Sequence, residues 1–381
     1  NGDRYATGEV VDDMHFDRLI DDVVGSLDTY RREHRSGSAD GTGANTRRGR
    51  AIATTMKATI TPSTSTAAIK LNEDGSVNVL TSSVDLGQGM KTALAQIAAG
   101  TLDVPYHKVQ VSEPDTDITP YDQQTSSSRT TYSMGNSVIQ AAEDIRRQLV
   151  ELGAEQLEAA VEDVELRDGV IQVRGAPARA LTYEQALRRA RRGTLQGVGA
   201  FITEGGLDPE TGQGIASVHW HHGAAGCEAE VDLETGKVEI LHLTSAVFAG
   251  KVINPRLCEL QIEGSLLFGL GQALFEEIAY EDGQVTNANL SDYMIPSFDD
   301  LPDTLHVSLL EADTHGDIHG VGETALPQVS PVIANAIRDA VGVHINDLPL
   351  TAEKVLRALS QGQVGHDDGR TARTTPEPSR V

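Results

Sequence analysis

The sequence predicts an α+β chain, a leading helix followed by two mixed α/β domains. Three observations carry this expectation. Short apolar runs set off by Gly, Asp and Asn turns alternate irregularly with stretches of helical periodicity, so neither an all-helical nor an all-strand fold fits. Two polar, glycine-containing stretches, 35–49 and 205–214, break the pattern into blocks. The 381 residues are enough for two domains of the usual ~100–200 residues. The expected divisions are a helix and exposed linker over 1–50, a first domain over 51–205, a second over 206–360 and a flexible tail over 361–381.

Each element has a local reason. Phe16, Leu19, Ile20, Val23, Val24 and Leu27 place an apolar stripe on a helix from about 13 to 32. Residues 67–71 and 77–81 flank Asn72-Glu73-Asp74-Gly75, a hairpin turn with Asp-Gly chemistry. A helix follows over 90–102, a strand over 109–111, a long helix over 137–158, a hairpin over 164–173 and a basic helix over 183–192. The second block reads as strands over 216–223, 228–232 and 238–248. A glycine-interrupted helix over 257–277, a strand over 305–310 and helices over 331–341 and 351–359 complete it.

Composition excludes several function classes. The formal charge is -25, spread along the chain, which makes nucleic acid and anionic membranes poor partners. The two cysteines, Cys227 and Cys258, have no CxxC spacing, so no zinc site, iron–sulfur cluster or disulfide framework is encoded. No apolar run reaches the ~20 residues of a membrane helix, and the polar start is no signal peptide, so a cytoplasmic protein is expected. No GxGxxG, Walker loop or Gly-x-Ser-x-Gly elbow occurs. His219, His221 and His222 lie on one strand, where at most two can share a side, so no metal site is expected there.

Three stretches can carry chemistry. In Gly320-Val321-Gly322-Glu323 a carboxylate sits between small residues, just before a helix whose start is signalled by Ser330 as cap and Pro331 as first residue. Glu323 there is either a general base or a loop glutamate favoured by the helix N-terminus. Gly87-Gln88-Gly89 precedes the helix at 90 and offers backbone amides to an anion, or is only a turn. The run from Thr125 to Thr131 is a hydroxyl cradle for phosphate or polar ring edges, or a linker.

Taken together in order, these stretches resemble the molybdenum-cofactor subunit of the xanthine dehydrogenase and aldehyde oxidase family. The matching pieces are 84–90 with 95–98, 115–117, 125–130 with Gly135-Asn136, and 250–255 with Gln261-Ile262-Glu263-Gly264. They continue through 269–274 and 320–323 to 333–337 and 348–351. The resemblance implies two molybdopterin-binding domains. It implies cofactor contacts at Gly87, Gln88, Gly89, Thr125, Ser126, Ser127, Ser128, Thr130, Gln261 and Gly322. It makes Glu323, expected to be buried, the catalytic base that activates the hydroxyl attacking an electron-poor carbon. Metal ligands would come from the pterin, as a molybdenum-molybdopterin cytosine dinucleotide, and none from protein side chains. Relatives have an upstream half that this chain lacks, so the N-terminal helix is expected to dock on that half as a separate polypeptide. Iron–sulfur clusters and FAD would sit on further subunits. The implied reaction is hydroxylation of an N-heteroaromatic ring (nicotinate-, purine- or pyridine-like) with water as oxygen source. Aldehyde oxidation, a carbon monoxide or aromatic-thioester substrate, and a non-catalytic assembly subunit stand as alternatives.

Overall fold

The computed structural model describes residues 1–34, 45–312 and 317–362. Most of the expected linker and nearly all of the expected tail lie outside the described residues. In chain order the first elements are α1 (Phe16–Glu33), β1 (Thr46–Ala58), β2 (Ser63–Asn72), β3 (Val77–Leu80), α2 (Met90–Leu102) and β4 (Val109–Val111). Next come α3 (Gly135–Leu157), β5 (Val164–Arg167), β6 (Val170–Val173), β7 (Ala176–Thr182), α4 (Tyr183–Arg189) and β8 (Thr194–Thr203). Two short ribbons, β9 (Gly206–Leu207) with β10 (Gly214–Ile215) and β13 (Tyr280–Glu281) with β14 (Gln284–Val285), interrupt the second half. Its main elements are β11 (Trp220–Asp232), β12 (Val238–Gly250), α5 (Pro255–Leu274), β15 (Thr304–Glu311), α6 (Val329–Val341) and α7 (Ala352–Gly362).

Two four-stranded sheets organise the chain. The first has the order β4-β3-β2-β8, with β3 parallel to β4 and the other pairs antiparallel. Strand β2 alternates buried and half-exposed residues, so one face is core and α2 and α3 cover it with Leu94, Ile97, Val138 and Ile145. Helix α3 rests directly on β8. A Cβ on Gly197 would meet the Ala141 carbonyl oxygen at 2.1 Å, and one on Gly199 that of Ser137 at 2.0 Å. The β5-β6-β7 ribbon and α4 extend this domain.

The second sheet, β1-β11-β12-β15, is covered on both faces. Helices α5 and α6 bury Ile262, Leu266, Ile333 and Ile337 against one face. On the other, Leu19, Val23 and Leu27 of α1 pack with Ala224, Ala246 and Phe248. Burial on both faces explains why β11 and β12 are nearly continuous buried runs without alternation.

Two expectations are corrected here. The boundary near 50 does not separate the sheets, because β1 starts at Thr46 and pairs along its whole length with β11. Gly49 makes that possible: α6 lies so close that a Cβ there would meet the Ala336 oxygen and Ala340 nitrogen at 2.2 Å. Helix α1 covers this chain's own sheet through Leu19, Val23 and Leu27, while Val24 of the same stripe stays 37% exposed. The strands expected at 216–223 and 228–232 are one strand. Gly226, in the gap, lies under α1, with Val23 Cγ1 2.7 Å from where a Cβ would be. Among the described residues no helix is long and apolar enough to cross a membrane.

Candidate active site

A cleft of about 430 Å³ opens between the loops of the first half and helix α5, lined by the 86–88 loop, the 125–131 segment, the start and outer face of α5, and residues 319–323. Asn254 stitches its walls together. Its side chain caps α5 by accepting from the Leu257 amide at 3.0 Å and donates to Gln96 Oε1 of α2 at 2.9 Å.

Glu323 lies on the cleft floor. It is half-exposed, with 43% of its side chain accessible, against the expectation of burial; the reason is that the floor opens into the cleft on one side. One oxygen, Oε2, pairs with the Lys57 ammonium of β1 at 2.5 Å, and Oε1 accepts from the Ser127 amide at 3.2 Å. The Glu323 amide in turn donates to Ser128 Oγ at 3.0 Å. This close approach needs Gly320, because a Cβ there would sit 2.0 Å from the Ser128 carbonyl oxygen. Gly322 has room for a Cβ, its nearest neighbour being Ser128 Oγ at 3.5 Å.

Ser127 and Ser128 carry the site's backbone strain. Both have left-handed dihedrals, φ 56° and 54°, which cost non-glycine residues on the order of 1 kcal/mol or more each. Surrounding bonds hold them there. Ser127 Oγ accepts from the Ile60 amide at 3.0 Å and from Lys57 Nζ at 3.2 Å. Next in sequence, Arg129 is fully buried and donates to Asp122 Oδ1, Ser63 Oγ, Ser65 Oγ and the carbonyls of Thr64 and Gln124. Asp122 is completed by the hydroxyls of Ser65 and Ser83. Every charge in this buried network is therefore matched, the condition under which it rigidifies.

The structure brings Gly87, Gln88, Thr125, Ser126, Ser128, Thr130, Gln261, Gly322 and Glu323 to one cleft. Gln261 braces the floor, donating to the Gly322 carbonyl at 3.2 Å. Gly89 and Ser127 do not line it. Gly89 is the left-handed cap of α2, seated under Leu257, and Ser127 turns its hydroxyl toward β1. The amides expected to bind an anion at the α2 N-terminus are taken by the chain's own Asp85, which accepts from Gly87, Gly89 and Lys91 at 3.0–3.3 Å. Gln88 folds back on its loop, Oε1 accepting from Leu86 N at 2.5 Å and Nε2 donating to Val84 O at 2.9 Å. Thr125 Oγ1 accepts from the Val84 amide, fastening the same loop. Nor does Ser330 cap a helix. A 3₁₀ turn at 326–328, with Pro327 early in it, makes the backbone helical before Ser330, and Gln328 takes the cap position.

His319, which lines the cleft, stacks on His219 with ring centroids 4.5 Å apart, and His221 meets His219 edge-on at 4.6 Å. Burial pushes all three below the ordinary histidine range, His221 to about 3, and the nearby Lys57 charge pushes His219 and His221 the same way. The Gly320 backbone partly offsets this at His221 without reaching hydrogen-bond geometry, and both His221 ring nitrogens are buried without a partner. His222 faces the other way, stacked on Phe248 and accepting from the His15 amide. Among the described residues no group of three His, Cys, Asp or Glu is placed to hold a metal ion.

The family model described as molybdopterin cofactor-binding domain matches residues 24–302, most of the chain. The chain belongs to the molybdopterin cofactor-binding family. It is 31% identical over 299 residues to the nicotine 6-hydroxylase large subunit of Paenarthrobacter nicotinovorans, covering 77% of this chain and 36% of that one. It is 30% identical over 297 residues to the xanthine dehydrogenase molybdenum-binding subunit of Escherichia coli, covering 76% and 38%. The structure matches that of quinoline 2-oxidoreductase from Pseudomonas putida 86 with a TM-score of 0.83 at 25% identity, over 94% of this chain and 48% of the other. It matches the aldehyde oxidoreductase of Desulfovibrio gigas with a TM-score of 0.78 at 26% identity, over 94% and 37%. The chain thus spans under half the length of each of these relatives. The family match ends at 302, before the Glu323 loop; the Lys57 and Ser127 contacts tie that loop to the matched part.

Proposed function

We propose that this chain forms part of the molybdopterin-binding subunit of a hetero-oligomeric molybdenum hydroxylase, with Glu323 as general base. The observation that carries the reading is the meeting of Glu323 with the 87–88 loop, the 125–130 hydroxyls and Gln261 in one cleft. The residues present fit such a cofactor. The cleft wall offers hydroxyls at Ser126 and Thr130 and a glycine at 87 whose φ of 107° leaves open space above it. The amides at the α2 N-terminus would not be the cradle, since Asp85 fills them. We assign the cytosine dinucleotide form to the cofactor. When bound it would supply the redox centre and the oxygen that is transferred.

The chain's own residues supply position and a proton acceptor. Glu323 is fixed from two sides yet open to the cleft, so one carboxylate can take a proton from a group placed there. Gln261 and Gly320 hold its loop at the distance that Ser127 and Ser128 require. The substrate class we favour is an N-heteroaromatic ring, by analogy with the nicotine and quinoline enzymes above. Aldehydes are the second reading, favoured by the match to an aldehyde oxidoreductase.

Partner chains follow from what is left uncovered. Between α5 and β15 the chain exposes Ile278, Tyr280, Leu290, Met294, Ile295 and Phe298, the last at 92%. A cluster this apolar is unusual for a surface that meets only water. We assign it to contact with another subunit, with iron–sulfur clusters and FAD on further chains. The test is Glu323→Gln in the reconstituted complex. Turnover is expected to fall by ~10²–10⁴, the usual worth of a positioned base, with molybdenum content unchanged. Wild-type turnover at unchanged molybdenum content rejects the catalytic role.

A further inference from the structure

We infer that Lys57 is the positioning residue of Glu323, setting the direction in which that carboxylate faces the cleft. The inference rests on the reading of Glu323 as the base. Lys57 stands near the end of β1, directly across from His221 of β11, and reaches the floor from the second sheet, whereas Ser127 comes from the segment between β4 and α3. Its Nζ lies 2.5 Å from Glu323 Oε2 and 3.2 Å from Ser127 Oγ, so one ammonium ties the carboxylate to the residue whose amide holds the other oxygen. The three groups form a closed clamp: ammonium to Oε2, amide to Oε1, and ammonium to the hydroxyl of the residue bearing that amide.

Other charges and imidazoles bear on this assignment. The rings packed beneath Lys57 are His219 and His221, both disfavoured from ionising by burial and by Lys57 itself, so they offer no competing counter-charge. Among the ion pairs of the described residues, Lys57 appears only with Glu323. The pair is partly open to water, with 22% and 43% of the two side chains accessible. Pairs this exposed stabilise folds little, so a stability role explains poorly why an ammonium is carried into the floor of a cleft. Orientation explains it. A glutamate side chain left unpaired can turn about several bonds, and a misplaced base loses rate steeply.

The test uses Lys57→Met, Lys57→Arg and Glu323→Gln in the reconstituted complex, with nicotinate and benzaldehyde as probes of the two substrate classes. All three variants are expected to keep wild-type molybdenum content. Lys57→Met is expected to lower kcat by ~10- to 100-fold at unchanged KM, part of the ~10²–10⁴ that a base contributes, and Lys57→Arg to recover most of it. A second readout needs no turnover. In the full chain alone, the Ser127 backbone amide resonance should move in Glu323→Gln, and in Lys57→Met it should move the same way. Wild-type kcat in Lys57→Met beside an inactive Glu323→Gln overturns the inference and leaves the base intact. Loss of molybdenum in Lys57→Met also overturns it, in favour of a structural crosslink. Full turnover in Glu323→Gln overturns the underlying reading instead.

Discussion

The floor and the rim of the cleft are built differently. The floor, residues 125–130 with 320–323, is braced from both sheets by Arg129, Lys57 and Gln261, and two left-handed serines are held in place by those bonds. The rim, Leu86 to Gln88 with Leu260 and Phe268 of α5, exposes its apolar side chains, and the loop at 86–88 is fastened largely to itself. A floor so determined is pre-formed in the chain alone. A rim so exposed takes its final environment from whatever covers it.

The largest test of that contrast is Arg129→Met. It leaves the Asp122 carboxylate buried with only serine hydroxyls, and breaking a buried pair this way costs about 3–5 kcal/mol. The urea midpoint should fall accordingly. A loss below about 1 kcal/mol would mean that the floor is no more rigid than the rim.

Next in size is pH. His219 and His221 are held neutral in the fold by burial, so below the ordinary histidine pKa of ~6.5 the unfolded chain binds protons that the folded chain refuses. The unfolded state then carries more protons, and stability falls as pH drops from about 6.5 toward the folded value, about 3 for His221. Each imidazole contributes up to about 1.4 kcal/mol per pH unit in that window. Denaturation midpoints at pH 7 and pH 5 should differ, and His221→Phe should flatten the slope. An unchanged slope in His221→Phe would place the titrating groups elsewhere.

What the sequence made legible follows the same division. The mixed fold and the hairpin turns were readable because each signal is local, whereas Glu323 and the hydroxyl run stood out only when several stretches were taken together in order. Lys57 was not, because its role arises only when β1 pairs with β11 and two distant loops meet above its end. Lys57 fell in the block expected as the first domain, whereas β1 pairs in the sheet of the second half. Arg129 was hidden inside a run that reads as serine and threonine chemistry, although a lone arginine there was a usable signal. Asp85, two residues before Gly87, was the clue that the α2 amides had a partner already.

The smallest effect is expected at the rim, from Gln88→Ala. Its amide joins Leu86 N to Val84 O within one exposed loop, so the fold should lose only about 0.5–1.5 kcal/mol, the usual net worth of a hydrogen bond. The loop itself should loosen, since Thr125 and Asp85 would be its remaining ties. Molybdenum content of the assembled complex should therefore drop while the urea midpoint barely moves. The opposite result, a stable occupancy with a large loss of stability, would make Gln88 part of the braced floor and erase the distinction.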